Sequence, residues 1–398
     1  MSVSNLPLKH LFEIPEDTIY LDGNSLGCLP KGVVGRATDT IGREWGGQLI
    51  RAWNSAGWMS LPQRVGDRIA RLIGAAEGSV ITGDTLSIKV YQAVASALKM
   101  RPGRKVVLSD SGNFPTDLYM VRGLLQTIDA GYELRTPEPE QVADTIDETV
   151  AAVLLTHVDY RTGRMHDMAE ITRRAQAAGA VMIWDLAHSA GALPLDLAGC
   201  GTEFAVGCTY KYLNGGPGAP AFIYVRPDIV ADIEPALAGW MGHDAPFAME
   251  LHYRPAMSTE RLRVGTPAIV QLSMLDEALN VWDGVELADV RKASIELSEL
   301  FIAEIERRCP QLTLASPRDA AKRGSQVSFA FDNGYEAMQA LIDRGVIGDF
   351  RAPNIMRFGF TPLYLDAQDV LAAAGILEEV ISKELWRDPK YSARSRVT

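Results

Sequence analysis

Between residues 80 and 230 the chain alternates short apolar, β-branched runs with segments of helical spacing. Lys105 to Leu108, Val150 to Leu155, Val181 to Trp184 and Ala221 to Val225 read as strands, with Ile88 to Leu98 and Met168 to Ala178 as helices between them. Strands that are apolar at every position have both faces buried. Strands that alternate with helices imply a mostly parallel sheet with right-handed crossovers. The pattern changes at Pro267. Ile269, Leu272, Leu275, Leu279 and Trp282 follow helical spacing, as do Leu287, Val290, Leu297, Phe301 and Ile305 beyond Gly284, until Pro310 stops the run. Further strands are expected at Gln326 to Phe331 and Ile355 to Phe360. The organisation expected is α/β: a large domain over 50–284, a smaller α+β domain over 285–398, and an N-terminal arm, 1–49, packing with the small domain.

Composition narrows the classes. With 398 residues, 47% hydrophobic and 22% charged, the chain has material for a sizeable core and reads as neither disordered nor fibrous. A net charge of −11 without a basic run argues against a nucleic-acid partner. Cys28, Cys200, Cys208 and Cys309 are widely spaced, which suits neither a disulfide scaffold nor a zinc site. The first residues lack a basic stretch followed by an apolar one, and no apolar run reaches membrane-spanning length. The expectation is a cytoplasmic protein with no membrane or metal partner.

Ligands of open α/β sheets bind beyond the carboxyl ends of the strands. Those ends carry chemistry here. Phe114 to Asp117 follow the first strand, Thr156 to Asp159 the second, Asp185 and His188 the third. Tyr210, Lys211 and a Gly-rich turn follow Phe204 to Gly207. A desolvated Lys amine suits Schiff-base formation, and a neighbouring carboxylate suits the ring nitrogen of pyridoxal phosphate. Lys211 and Asp185 fit these roles, and Phe114 could stack on the ring. Gly83-Asp84-Thr85-Leu86-Ser87 precedes a helix and could hold a phosphate at its N-terminus. Alone, Lys211 would read as a solvated charge, Asp185 as a helix cap and Arg357 as a structural ion pair. His157 and His166 read as structural.

Asp22-Gly23-Asn24-Ser25-Leu26-Gly27, Phe114-Pro-Thr-Asp117, Asp185-x-x-His188, Tyr210-Lys211 with Asn214-Gly-Gly-Pro-Gly218, and Arg357 followed by Thr361-Pro-Leu-Tyr364 together resemble the kynureninase family. These are pyridoxal-phosphate enzymes of fold type I, aminotransferase class V. The resemblance runs from about residue 20 to 370. It implies hydrolytic Cβ–Cγ cleavage of L-kynurenine, or of its 3-hydroxy form, to an anthranilate and L-alanine in tryptophan catabolism. It also implies a homodimer with shared sites. By the same resemblance Lys211 is the Schiff-base lysine, Asp185 pairs with the pyridine nitrogen, and His188 lies near the cofactor. Phe114 stacks on the ring, with Thr116 and Asp117 beside it. Leu86, Ser87 and Tyr210 face the phosphate, and Thr156 the ring hydroxyl. Trp240 and Thr266 complete the phosphate site from the second subunit, and Arg357 binds the substrate α-carboxylate. Tyr210 is the candidate for relaying protons. Thr85-Leu86-Ser87 departs from the Ser-Thr-Ser frequent in the family, and Thr266 stands where other members carry Asn. Another class V enzyme, such as a cysteine desulfurase, is the alternative, with Cys200 the nearest candidate nucleophile.

Overall fold

The computed structural model describes residues 6–393, so the first five residues of the expected arm and the last five of the expected C-terminal domain lie outside the described residues. Seven strands form the main sheet: β1 Val80–Thr82, β2 Val106–Leu108, β3 Glu133–Arg135, β4 Val150–Thr156, β5 Val181–Asp185, β6 Phe204–Gly207 and β7 Phe222–Val225. Their spatial order is β1-β7-β6-β5-β4-β2-β3. Side chains alternate across the pleat. Val153, Leu155, Met182 and Trp184 enter one apolar cluster, and Ala152, Leu154, Val181 and Ile183 enter another. Helices α1 Leu61–Leu72 and α4 Met168–Ala177 cover the first face through Val65, Ile69 and Ile171. Helices α2 Leu86–Met100 and α3 Pro115–Ile128 cover the second through Val90, Val94 and Val121. Burial on both faces is why these strands are apolar throughout.

One strand departs from the sequence expectation of parallel pairing. β2, β3, β4, β5 and β6 pair in parallel, but β7 is antiparallel to both β6 and β1. A parallel return needs a crossover, usually a helix. Residues 208–221 hold none; they turn through Asn214, Gly216 and Gly218, all at positive φ, and come straight back. β1, antiparallel to β7, therefore runs in the same direction as β6.

After α5 Ile269–Ala278 and the 22-residue α6 Leu287–Arg308, a second sheet forms in the order β8-β9-β11-β10. Its strands are β8 Thr313–Leu314, β9 Gln326–Ala330, β10 Asp349–Arg351 and β11 Ile355–Gly359, all antiparallel. Phe301 of α6 packs against Phe329, Phe358 and Phe360. The N-terminal segment joins this unit. Ile19–Tyr20 pairs in parallel with Val346–Ile347, Leu8 N–H donates to Leu363 O at 2.7 Å, and Gly359 N–H donates to Leu21 O at 2.6 Å. The same segment reaches the large sheet, where Gly27 N–H donates to Tyr210 O at 2.8 Å. Among the described residues no helix is long and apolar enough to cross a membrane.

Candidate active site

The carboxyl ends of β1, β2, β4, β5 and β6 share one edge of the sheet. Parallel register sets Asp185, the last residue of β5, beside Thr156, the last of β4. Asp185 Oδ1 accepts from Ala187 N–H at 2.8 Å, and its Oδ2 lies 3.3 Å from Thr156 Oγ1. That hydroxyl also lies 2.5 Å from Asn113 Oδ1, so its single proton is divided between two acceptors. Asn113 Oδ1 accepts from Phe114 N–H at 2.7 Å as well, which fixes the start of α3.

Asp117, in the first turn of α3, is buried, and the Asp185 charge acts on it. Burial first, then the Asp185 charge, push Asp117 well above the usual carboxylate range. Burial also raises Asp185, opposed by Lys211, the Ala187 N–H, Thr156 and Asp117 itself. Two carboxyls buried this way resist ionising together.

Lys211 Nζ lies 3.0 Å from His188 Nε2 and 5.8 Å from the centre of the Tyr210 ring. Burial first, then the charges of Lys211, Arg357 and Arg351, hold His188 well below its ordinary pKa. The imidazole is neutral. Its other ring nitrogen, Nδ1, is buried without a hydrogen-bond partner. The Tyr210 hydroxyl stays protonated: the neighbouring Cys208 and then burial raise its pKa.

The structure thus brings Lys211, Tyr210, Asp185, His188, Asp117 and Thr156 together. Phe114, 41% exposed at the N-cap of α3, packs edge-to-face with Tyr160, the ring centres 5.1 Å apart. Thr116 is half-buried in the first turn of α3. Leu86 and Ser87 open α2, but the Leu86 side chain packs into the apolar cluster and can offer the site only its backbone. Trp240 and Thr266 are not brought to this group within the chain. Trp240 is exposed and packs on Phe247 at 5.7 Å, and Thr266 is exposed.

Arg357 enters from β11 and is 1% exposed. It is paired within the chain. Its Nε donates to Asp349 Oδ1 at 2.8 Å, its Nη2 to Asp349 Oδ2 and to Ser25 Oγ (2.7 Å), and its Nη1 to Tyr160 O at 2.5 Å. Asp349 sits directly opposite in antiparallel register, so the pair is a cross-strand neighbour that only the fold creates.

Two family models match parts of the chain: the kynureninase C-terminal domain over residues 290–377 and the DegT/DnrJ/EryC1/StrS aminotransferase family over residues 65–201. A curated kynureninase from Burkholderia pseudomallei (strain 1106a) is 48% identical over 98% of this chain and 96% of its own length. This chain belongs to the kynureninase family. Among solved structures, an apo cysteine desulfurase from Thermococcus onnurineus NA1 aligns with a TM-score of 0.82 and 18% identity, over 96% of this chain and 100% of that one. A C-DES mutant with glycine covalently linked to its PLP cofactor aligns with a TM-score of 0.78 and 18% identity, over 94% and 99%. Identities that low speak for the fold, which is type I α/β with a mostly parallel large sheet. Within the family frame, sequence reasoning missed Asn113, Tyr160, Asp349 and Arg351. The Asn-Phe-Pro turn was a readable signal for the first. The others acquire their partners only through strand register and the meeting of the two sheets.

Proposed function

We propose that this chain hydrolyses the Cβ–Cγ bond of L-kynurenine to anthranilate and L-alanine, using pyridoxal phosphate. The observation that carries the reading is Lys211 after a strand end, 3.0 Å from His188 and beside two buried carboxyls, Asp117 and Asp185, in a chain of the kynureninase family.

The residues fit that cofactor. Asp117 Oδ2 and His188 Nδ1 are buried without partners, Phe114 is part-exposed, and α2 presents its N-terminus at the same edge. Lys211 would hold the aldehyde carbon, Asp185 the ring nitrogen, and Ser87, the Leu86 N–H and Tyr210 the phosphate, with Thr156 at the ring hydroxyl. When bound, the group supplies an electron sink for charge developing at the substrate. Lys211 moves the Cα proton, neutral His188 accepts from its amine and keeps it oriented, and Tyr210 relays a proton. Arg357 receives the substrate carboxylate from the second sheet.

The desulfurase alternative gains nothing from the thiols. Cys28, Cys208 and Cys309 are buried, and burial with nearby Asp196 pushes Cys200 up, away from a reactive thiolate. The unpaired cysteines also support a reducing, cytoplasmic setting. A homodimer is supported by uncovered apolar side chains on two segments: Trp45, Leu49 and Ile50 on one, and Trp240, Phe247, Met249 and Leu251 on the other. Trp240 and Thr266 would then serve the second copy's site.

Purified, cofactor-loaded protein mixed with L-kynurenine should release anthranilate, seen by fluorescence, and alanine in equal amounts. A bound cofactor without anthranilate would overturn the substrate assignment. The arm has its own test. A Cβ on Gly27 would lie 2.3 Å from Lys211 O and 2.7 Å from Asn214 Cα, so Gly27→Ala must displace the Lys211 loop. A shift near 1 Å costs on the order of 100-fold, and kcat/KM for L-kynurenine is expected to fall by about that factor.

A further inference from the structure

Helix α2 starts without a side-chain cap. Its N-cap residue, Thr85, makes no capping hydrogen bond, so the first-turn N–H groups keep their capacity to bind an anion. The residue in front is an aspartate, the type of side chain that is drawn to the positive end of a helix and bonds its free N–H groups. Asp84 is turned elsewhere. It sits in the left-handed region at φ 56°, after Gly83 at φ 156°, and its Oδ2 accepts from Lys89 Nζ at 3.0 Å.

Lys89 lies one turn further along α2 and is 1% exposed. Its ammonium has three N–H groups and three acceptors: Asp84 Oδ2, Gln92 Oε1 at 3.0 Å and Leu262 O at 3.2 Å. None is left for a ligand. Gln92 Nε2 also donates to Leu262 O, at 3.0 Å, so the acceptors that hold the ammonium are themselves tied together. A lysine is almost never fully buried unless paired, and Asp84 is its carboxylate partner. Burial pulls Lys89 below its ordinary pKa; Asp84 opposes this by charge and hydrogen bond, and Arg263 adds to it. The arrangement has an electrostatic consequence. A free carboxylate at the head of α2 would compete with a phosphate dianion for the same N–H groups and repel it.

We propose that Lys89 is a positioning residue of the cofactor site: it holds the Asp84 carboxylate off the N-terminus of α2 and neutralises it, which leaves the helix start to the cofactor phosphate. The proposal deepens the functional reading above and rests on it.

The test removes the cofactor from the full-length enzyme and titrates back either pyridoxal phosphate or pyridoxal, which lacks the phosphate, following tryptophan fluorescence. Lys89→Met should raise the dissociation constant of pyridoxal phosphate about 10- to 30-fold, the size of a charge effect at a helix terminus, and leave that of pyridoxal unchanged. Adding Asp84→Asn, uncharged and tolerant of the left-handed conformation, should restore the phosphate-dependent affinity. Asp84→Asn alone should not weaken pyridoxal phosphate. Lys89→Gln, which keeps a donor in the buried cluster, takes the place of Lys89→Met if that chain does not fold. Unchanged affinity for pyridoxal phosphate overturns the proposal, as do equal losses for both ligands, which would mark Lys89 as structural. A phosphate-specific loss that the double variant does not recover also overturns it, because the ammonium would then act on the phosphate directly. In each of these cases the unaltered enzyme still prefers the phosphorylated ligand and only the present proposal fails. If the unaltered enzyme binds both ligands equally, the phosphate is not held at α2 and the functional reading of this edge fails with it.

Discussion

Lys211→Ala is expected to lower turnover of L-kynurenine by at least about 1,000-fold, within the range that a lost proton-transfer group costs, while leaving the fold intact. The reason is where the lysine stands. It lies in the turn between β6 and β7, half-exposed, and its ammonium has one close polar partner, His188 Nε2 at 3.0 Å. Removing it leaves the His188 imidazole neutral, and Asp185, losing the opposing Lys211 charge, is driven further toward its protonated form, so no ionised group is left buried and unpaired. The stability change should therefore stay within about 1 kcal/mol, as for substitutions outside the core. The readout beside the rate is optical: the visible band of covalently held cofactor should vanish. A persisting band would assign the covalent link to another lysine.

The second large effect is expected on stability. Asp349→Asn leaves Arg357 buried without its carboxylate, and breaking one side of a buried pair costs about 3–5 kcal/mol. Asp22 offsets part of this. Burial and the charge of Asp349 raise Asp22 from 3.8 to about 7, against Arg357, Ser25 and Arg351. Without Asp349 it ionises at lower pH and offers Arg357 a substitute. The Asp22→Asn, Asp349→Asn double variant should consequently lose more than the sum of the singles.

The sign of the pH dependence follows. Below about pH 4 Asp22 is protonated in both folded and unfolded chains and has no effect. Between the unfolded value of 3.8 and the folded value of about 7, the unfolded chain releases this proton while the folded one keeps it. Stability from this group therefore falls as pH rises, by up to about 1.4 kcal/mol per unit, and levels off above pH 7. Thermal unfolding of the holoenzyme from pH 4.5 to 8 checks it. Asp22→Asn should lose this component, and Asp349→Asn should move it to lower pH. An unaltered slope in Asp22→Asn would assign it to another group.

The apolar periodicity by itself determined β2, β4, β5 and β7 of the large sheet and the covering helices α2 and α4, because strands buried on both faces must be apolar at every position. It also determined which residues end those strands. Asp185, Thr156 and Lys211 were legible as a site for that reason, since the carboxyl edge of a parallel sheet gathers whatever follows each strand. Their individual roles came from the likeness of short motifs to one family. What only the tertiary structure decided has a common cause, the relative placement of segments far apart in sequence. β1 has three residues, too few to show a period, and β7 is reversed because the turn before it has no helix to carry a crossover. That Asp117 is buried with Asp185 depends on where the start of α3 meets the carboxyl ends of β4 and β5, through Asn113, Thr156 and Asp185. The Asp349–Arg357 pair depends on antiparallel register, and its locking depends on Ser25 and Tyr160 arriving from two other segments. A sequence shows which side chains carry charge; only packing shows which of their hydrogen bonds are already made.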